Sequence, residues 1–258
     1  MPDAPEIHPP VVPPEGSLGL LAYGHEGLLA WRRARGDGWK AELRAVAEAQ
    51  APAEPRPRPE RRSAPPAPDP DALAAATITV VTGLPRSGTS MAMQMLAAGG
   101  VPPFTDAARP ADESNPRGYL EHDRVRALAR DASWLADADG HALKVVVPLL
   151  PHLPPGPAYR VVWVERPLEE VLASQARMLD RLGHAAGDAD ALRALFARQT
   201  RDAERWAAET PRVRTLRLAY HDAVRDPAAA ARAVAAFLDL DAAAMAAAID
   251  PALHRERA

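Results

Sequence analysis

Apolar positions along this chain fall into two kinds of run. The first kind is short, mostly apolar and rich in β-branched residues: Ile78–Thr82, Ala142–Val147, Tyr159–Glu165 and Val213–Leu218. Such runs read as strands, and those apolar on both faces read as buried strands. In the second kind, apolar residues recur every three or four positions with good helix formers between them. This spacing predicts helices through Val125, Leu128, Ala129, Ala132 and Leu135, and through Val171, Leu172, Gln175, Met178 and Leu179, while Met91, Met93, Met95 and Leu96 read as a helix from the good helix formers around them. The same spacing predicts a long helix over Ala189–Glu209 and a last helical region from Pro227 through Val234, Phe237 and Leu238. Pro167 would open its helix in the first turn, where proline is tolerated. Strands alternating with helices predict a three-layer α/β/α domain on a parallel sheet. In such sheets ligands bind beyond the carboxyl ends of the strands.

That alternation begins near Ala72 and defines a predicted domain over residues 72–258. Before it, residues 1–50 form an N-terminal segment, proline-rich and predicted disordered over 1–16. Two short helices are predicted around Arg35–Gly38, the second carrying Trp39, Leu43, Val46 and Ala47 at helical spacing; Arg32, Arg33 and Arg35 read as a solvated face. Eight of the 21 residues in 51–71 are proline, interleaved with charge, which marks a semi-rigid linker. Inside the domain, Val101–Gly118 is a long, polar, irregular stretch, of the kind usually kept for function.

Composition narrows the class. The 258 residues are 47% hydrophobic but only 5% aromatic, so the core must be mostly alanine, leucine and valine. A net charge of −3 gives no global attraction to nucleic acid or acidic lipid. Without cysteine there is no disulfide framework and no thiolate metal site. No apolar run reaches the length of a membrane span, and the first residues lack a leader pattern. A soluble, cytoplasmic protein is expected.

The most informative stretch follows the first strand: Gly83-Leu84-Pro85-Arg86-Ser87-Gly88-Thr89-Ser90, then a helix. Strand, glycine-bounded loop and helix aim backbone N–H groups and a helix dipole at an anion. The spacing is nearly that of a Walker A loop. Gly83, Gly88 and Ser90 fall in place, but Thr89 sits where the lysine belongs, and the cation is instead Arg86 within the loop. The arrangement suits an anion other than the usual triphosphate.

The run Gly-Leu-Pro-Arg-Ser-Gly-Thr-Ser-Met resembles the 5′-phosphosulfate loop of the P-loop sulfotransferases, bacterial type. Those enzymes use 3′-phosphoadenosine-5′-phosphosulfate as sulfuryl donor. The resemblance implies that Pro85, Arg86, Ser87, Gly88, Thr89 and Ser90 hold the phosphosulfate, with Arg86 also meeting charge on the leaving phosphate. It implies a 3′-phosphate site at an arginine ending a strand and a serine eight residues later. Arg166 and Ser174, within Arg-Pro-Leu-Glu-Glu-Val-Leu-Ala-Ser, match that spacing. The phrase Tyr220-His221-Asp222-Ala223-Val224, with Asp226-Pro227 and Phe237-Leu238, is similar to the family's Tyr-Glu-Asp-Leu segment and sets Tyr220 near the nucleotide. The family's C-terminal Arg-Lys-Gly phrase is not present, and Arg160 and Arg217 are unranked alternatives for that contact.

Sulfuryl transfer to a hydroxyl needs a general base. Where cytosolic members carry Lys-x-His, this chain reads Lys144-Val145-Val146, keeping the lysine and losing the histidine. The base must come from elsewhere. Glu121 is the first choice, followed by Glu113 and Asp112, then Asp106, His122 and His152. Lys144, beside three valines at a strand end, is expected to contact the transferring group. No metal is expected, since arginine and lysine can carry the charge load. The expected partner is a small-molecule or protein hydroxyl acceptor, with no nucleic acid and no membrane span; oligomeric state is unreadable. Two other readings stand beside this one: a P-loop nucleotide kinase or phosphotransferase, for which the loop lysine is missing and no Walker B carboxylate is clear, and a non-catalytic nucleotide-binding interaction module.

Overall fold

A computed structural model describes residues 70–106, 118–181 and 188–249. The predicted N-terminal segment, most of the proline-rich linker, Asp112, Glu113 and the last nine residues lie outside these. Pro70 and Asp71, read as the end of the linker, already belong to the first helix, α1 (Pro70–Ala75).

Four strands form one parallel sheet: β1 (Thr77–Thr82), β2 (Ala142–Lys144), β3 (Ala158–Glu165) and β4 (Val213–Ala219), in the order β2-β1-β3-β4. These are the four apolar runs of the sequence, and the three-layer α/β expectation holds. Alternation along the strands sends side chains to two cores. Ile78, Val80, Val161 and Trp163 pack on one face with Leu143, Val147, Leu150 and helix α4 (Ala189–Glu209) through Ala203. Val81, Val162 and Val164 pack on the other face against α2 (Thr89–Ala98) and the C-terminal helices α5 (Tyr220–Arg225), α6 (Pro227–Leu238) and α7 (Ala243–Ala248). A third, smaller cluster joins α3 (Leu168–Arg181) to α4 through Val171, Leu172, Leu192 and Phe196.

β1 is followed in sequence by β2 on one side and then by β3 on the other. The chain therefore changes direction across β1, which opens a crevice beyond the ends of β1 and β3. The loop after β1 sits at that crevice.

Two expectations about elements are corrected. The predicted helix through Val125 and Leu135 is instead two 3₁₀ turns, Asp123–Ala127 and Leu135–Ala138. Asp131 breaks it: its Oδ1 accepts from the Ser133 backbone N–H at 2.9 Å and from the Ser133 hydroxyl at 2.6 Å, a local pairing that competes with helical hydrogen bonds. Val125, Leu128 and Leu135 remain buried all the same, while Ala129 is exposed. The second strand is also shorter than its apolar run, because Val147–His152 winds into a 3₁₀ turn with prolines at 148 and 151.

Candidate active site

The loop after β1 is tightly constrained. A side chain at Gly83 would bring its Cβ within 2.3 Å of the Ser87 Oγ and 2.8 Å of the Val164 carbonyl, so only glycine lets the loop fold back onto β3. Gly88 has φ +104°, and a Cβ there would strike the Tyr220 ring at 2.4 Å. Arg86 itself adopts φ 69°, a left-handed conformation that costs a non-glycine residue of order 1 kcal/mol. Gly88 caps α2 without any side-chain hydrogen bond, so no residue of the cap shields the first-turn amides and the positive end of the dipole.

Beyond the end of β3, Arg166 closes on the loop. Its Nη1 donates to the Arg86 carbonyl at 3.2 Å, and its guanidinium lies over the Tyr220 ring, 4.8 Å from the centroid. Arg86 Nε donates to the Ser174 Oγ at 3.2 Å. The four positions Arg86, Arg166, Ser174 and Tyr220, spread over 135 residues, thus form one group. Arg166 is held from behind by Glu170, which accepts from its Nε at 2.9 Å. The same carboxylate faces the His221 Nε2, at 2.8 and 3.0 Å to its two oxygens. Burial pushes the Glu170 carboxyl up, but the hydrogen bonds and charges of Arg166 and His221 outweigh this and hold it below the usual glutamate range.

Lys144, the last residue of β2, anchors a second group on the other side of β1. Its Nζ donates to the Ser90 Oγ at 3.1 Å, the Tyr119 carbonyl at 3.0 Å and the Glu121 Oε1 at 3.0 Å. The pair is nearly enclosed, with side-chain exposures of 5% for Lys144 and 13% for Glu121. That explains the lysine beside Val145–Val147: its charge is met by a carboxylate and its three N–H donors by three oxygens. Leu120, at φ 51°, turns the chain between Tyr119 and Glu121 so that both reach the same ammonium.

The remaining sequence candidates for a base lie differently. Asp106 accepts from the Asp123 backbone N–H at 2.8 Å, and His122 Nδ1 accepts from the Arg124 N–H at 3.2 Å, so both cap the 3₁₀ turn that follows Glu121. His122 also stacks with Phe104 and Trp134, at 4.7 and 5.8 Å between ring centroids, and those two rings stack on each other at 5.8 Å. His152 lies away from this group, on a groove of about 650 Å³ with Trp206 and Pro211. Val146, at the position of the family histidine, is buried. Of the unranked arginines, Arg217 pairs with Glu165 and Glu204. Among the described residues, no group of three or more histidine, aspartate or glutamate side chains is arranged to hold a metal ion.

Sequence reasoning missed the residues that orient the site: Glu170, His221 and Tyr119. For Glu170 a signal existed, since it stands four positions after Arg166 across a strand-to-helix junction. It also missed a cavity of about 530 Å³ on the α4 side of the loop, lined by Leu84, Ser87, Trp163, Arg166, Leu168 and Phe196.

Cationic groups thus stand on both sides of a glycine-bounded loop, Lys144 toward β2 and Arg166 toward β3. The model of the sulfotransferase family matches residues 119–244, and the match supports a sulfotransferase family assignment for this chain. The matched span includes Glu121, Lys144, Arg166, Ser174 and Tyr220 but not the loop at 83–90, so the loop's resemblance is separate support. No curated protein matches the chain. Among solved structures, the sulfotransferase domain of the Synechococcus PCC 7002 olefin synthase is 18% identical, with 69% of this chain and 76% of that one covered at a TM-score of 0.41. The fold described above rests on this chain's own strand order and registers.

Proposed function

We propose that this chain transfers a sulfuryl group from 3′-phosphoadenosine-5′-phosphosulfate to a hydroxyl of an acceptor, either a small molecule or a protein side chain. The observation that carries this reading is the meeting of Arg86, Arg166 and Ser174 at the crevice beyond β1 and β3. Two guanidinium groups joined through one loop carbonyl suit a donor with two separate anionic ends. The loop amides and Arg86 take the phosphosulfate; Arg166 and Ser174 take the 3′-phosphate, with Tyr220 beneath the guanidinium.

In the transfer, the acceptor oxygen bonds to sulfur as the bond from sulfur to the bridging oxygen breaks. The electron pair leaves with 3′-phosphoadenosine-5′-phosphate, whose growing negative charge Arg86 and the α2 amides stabilise. Glu121 takes the acceptor proton. Lys144 holds this carboxylate in place, and the acceptor O–H grows more acidic as its oxygen bonds to sulfur, so even a weakly basic carboxylate suffices. Lys144 also takes up the Ser90 hydroxyl at 3.1 Å, the group that a P-loop kinase gives to magnesium. This favours a metal-independent reaction over the kinase reading.

Titration calorimetry with 3′-phosphoadenosine-5′-phosphate, set against ADP with magnesium, tests the donor class. Tight binding of the bisphosphate without metal is the expected result. Preference for the magnesium nucleotide would overturn the reading in favour of a phosphotransferase, and binding of neither would leave a non-catalytic module.

A further inference from the structure

The side chains behind Arg166 carry an inference that rests on the reading of Arg166 and Ser174 as the 3′-phosphate site. Glu170 bridges two groups of different kinds: Arg166, permanently charged, at 2.9 Å, and the imidazole of His221, a group able to take up a proton, at 2.8 Å. With His221 neutral, the Arg166–Glu170–His221 group sums to zero charge, because the carboxylate cancels the guanidinium. With His221 protonated it sums to +1. A doubly charged phosphate at Arg166 meets a neutral group in the first case and a cationic one in the second.

We propose that His221 is a positioning residue of the 3′-phosphate clamp, acting through Glu170, and that binding of a 3′-phosphorylated nucleotide is linked to proton uptake at its imidazole. His221 stands where the similar family phrase has glutamate, and in the structure it makes the clamp's charge depend on pH. At 2.8 and 3.0 Å to the two carboxylate oxygens, His221 Nε2 is close enough to donate to Glu170, and the bond gains charge assistance when the ring takes up a proton. Other charged and titratable groups come from several elements. Glu170 approaches from α3, and Arg166 stands behind it at the end of β3. Arg86 of the loop bonds Arg166 through its carbonyl. On α5, Tyr220 meets the imidazole edge-on at 5.7 Å, and Asp222 pairs with Arg225 at 3.1 Å.

The sign follows from linkage. A ligand that prefers the protonated clamp raises the histidine pKa when it binds, so affinity is highest below that pKa and falls as pH rises through it. The phosphates titrate too, near pH 6, and favour binding at higher pH. The variant His221→Gln separates the two effects, because its amide still donates to Glu170 but carries no charge.

The experiment measures dissociation constants for 3′-phosphoadenosine-5′-phosphate and for 5′-AMP, from pH 6 to pH 8.5, in the unmutated chain and in His221→Gln. For the bisphosphate, the unmutated chain should bind about tenfold more tightly than the variant at pH 6, and the two should converge by pH 8.5. For 5′-AMP the two proteins should run in parallel. Calorimetry of the unmutated chain near pH 7, in two buffers of different ionisation heat, should report proton uptake with the bisphosphate in excess of that with 5′-AMP, whose phosphate by itself only releases protons on binding. That measurement decides the matter if the variant does not fold. A bisphosphate preference with no excess proton uptake and no pH-dependent gap between the proteins would overturn this inference alone. No preference for the bisphosphate over 5′-AMP at any pH would overturn the reading of the 3′-phosphate site itself.

Discussion

The two charged groups flanking the loop solve the same problem in different ways. On the β2 side, Lys144 is a compact ammonium whose donors go to Ser90, Tyr119 and Glu121, three oxygens from two separate stretches of chain. On the β3 side, Arg166 is a planar fork gripped at Nε by Glu170 and at Nη1 by a loop carbonyl, with its face on Tyr220. A point charge ringed by oxygens gathers its neighbours and sets their distances. A fork held at one edge has its plane fixed, and a fixed plane is what bidentate recognition of phosphate requires. On this comparison the lysine side suits chemistry at a reacting oxygen, and the arginine side suits holding a nucleotide.

The comparison breaks most visibly on the lysine side. Glu121→Gln should lower turnover by about a thousandfold while leaving the dissociation constant of 3′-phosphoadenosine-5′-phosphate within a factor of two or so. Near-normal turnover would remove Glu121 as the base. Between the two sides, Arg86→Ala should cost about 100- to 1000-fold in kcat, in line with the loss of one preorganised donor, as single-turnover kinetics with saturating donor would measure. Lys144→Met leaves Glu121 enclosed without its cation, and thermal or urea unfolding should show a loss of about 3 kcal/mol. A stable Lys144→Met variant would mean that the pair is not the anchor described here. The smallest effect belongs to the arginine side: Arg166→Ala should weaken the bisphosphate by about tenfold to a hundredfold with little change for 5′-AMP. Equal losses for both nucleotides would place Arg166 elsewhere along the ligand.

Three strands were legible in the chain because a strand buried on both faces needs a largely apolar, β-branched run, as at 78–82, 142–147 and 159–165; the fourth, at 213–218, carries Arg214 and Arg217 and is buried only at Leu218. The helix over Ala189–Glu209 was equally legible, and its bounds agree to the residue. The helix expected through Val125 and Leu135 was not, because periodicity reports which residues are buried and not which hydrogen bonds bury them. There Asp131 and Ser133 prefer each other to the helix. In the candidate site, Arg86 was marked by loop chemistry, and Arg166 and Ser174 by the resemblance to the eight-residue spacing of the sulfotransferases. Tyr119 could not, since it contributes a backbone carbonyl, a group every residue has.

What the sequence determined by itself is local: strand, glycine-bounded loop and helix at 77–98, and a strand-end arginine with a helix serine two turns on. These follow from steric and hydrogen-bonding rules that act over a few residues. Which of these pieces meet was decided only by the tertiary structure. The order β2-β1-β3-β4 sets the ends of β2 and β3 on opposite sides of the loop, and so gives Lys144 to Ser90 and Arg166 to Arg86. The left-handed turn at Leu120 then carries Glu121 to Lys144, and α5 brings His221 to Glu170 across 51 residues. A charge is assigned its partner by packing, because enclosing it costs far more than leaving it in water unless an opposite charge is enclosed with it.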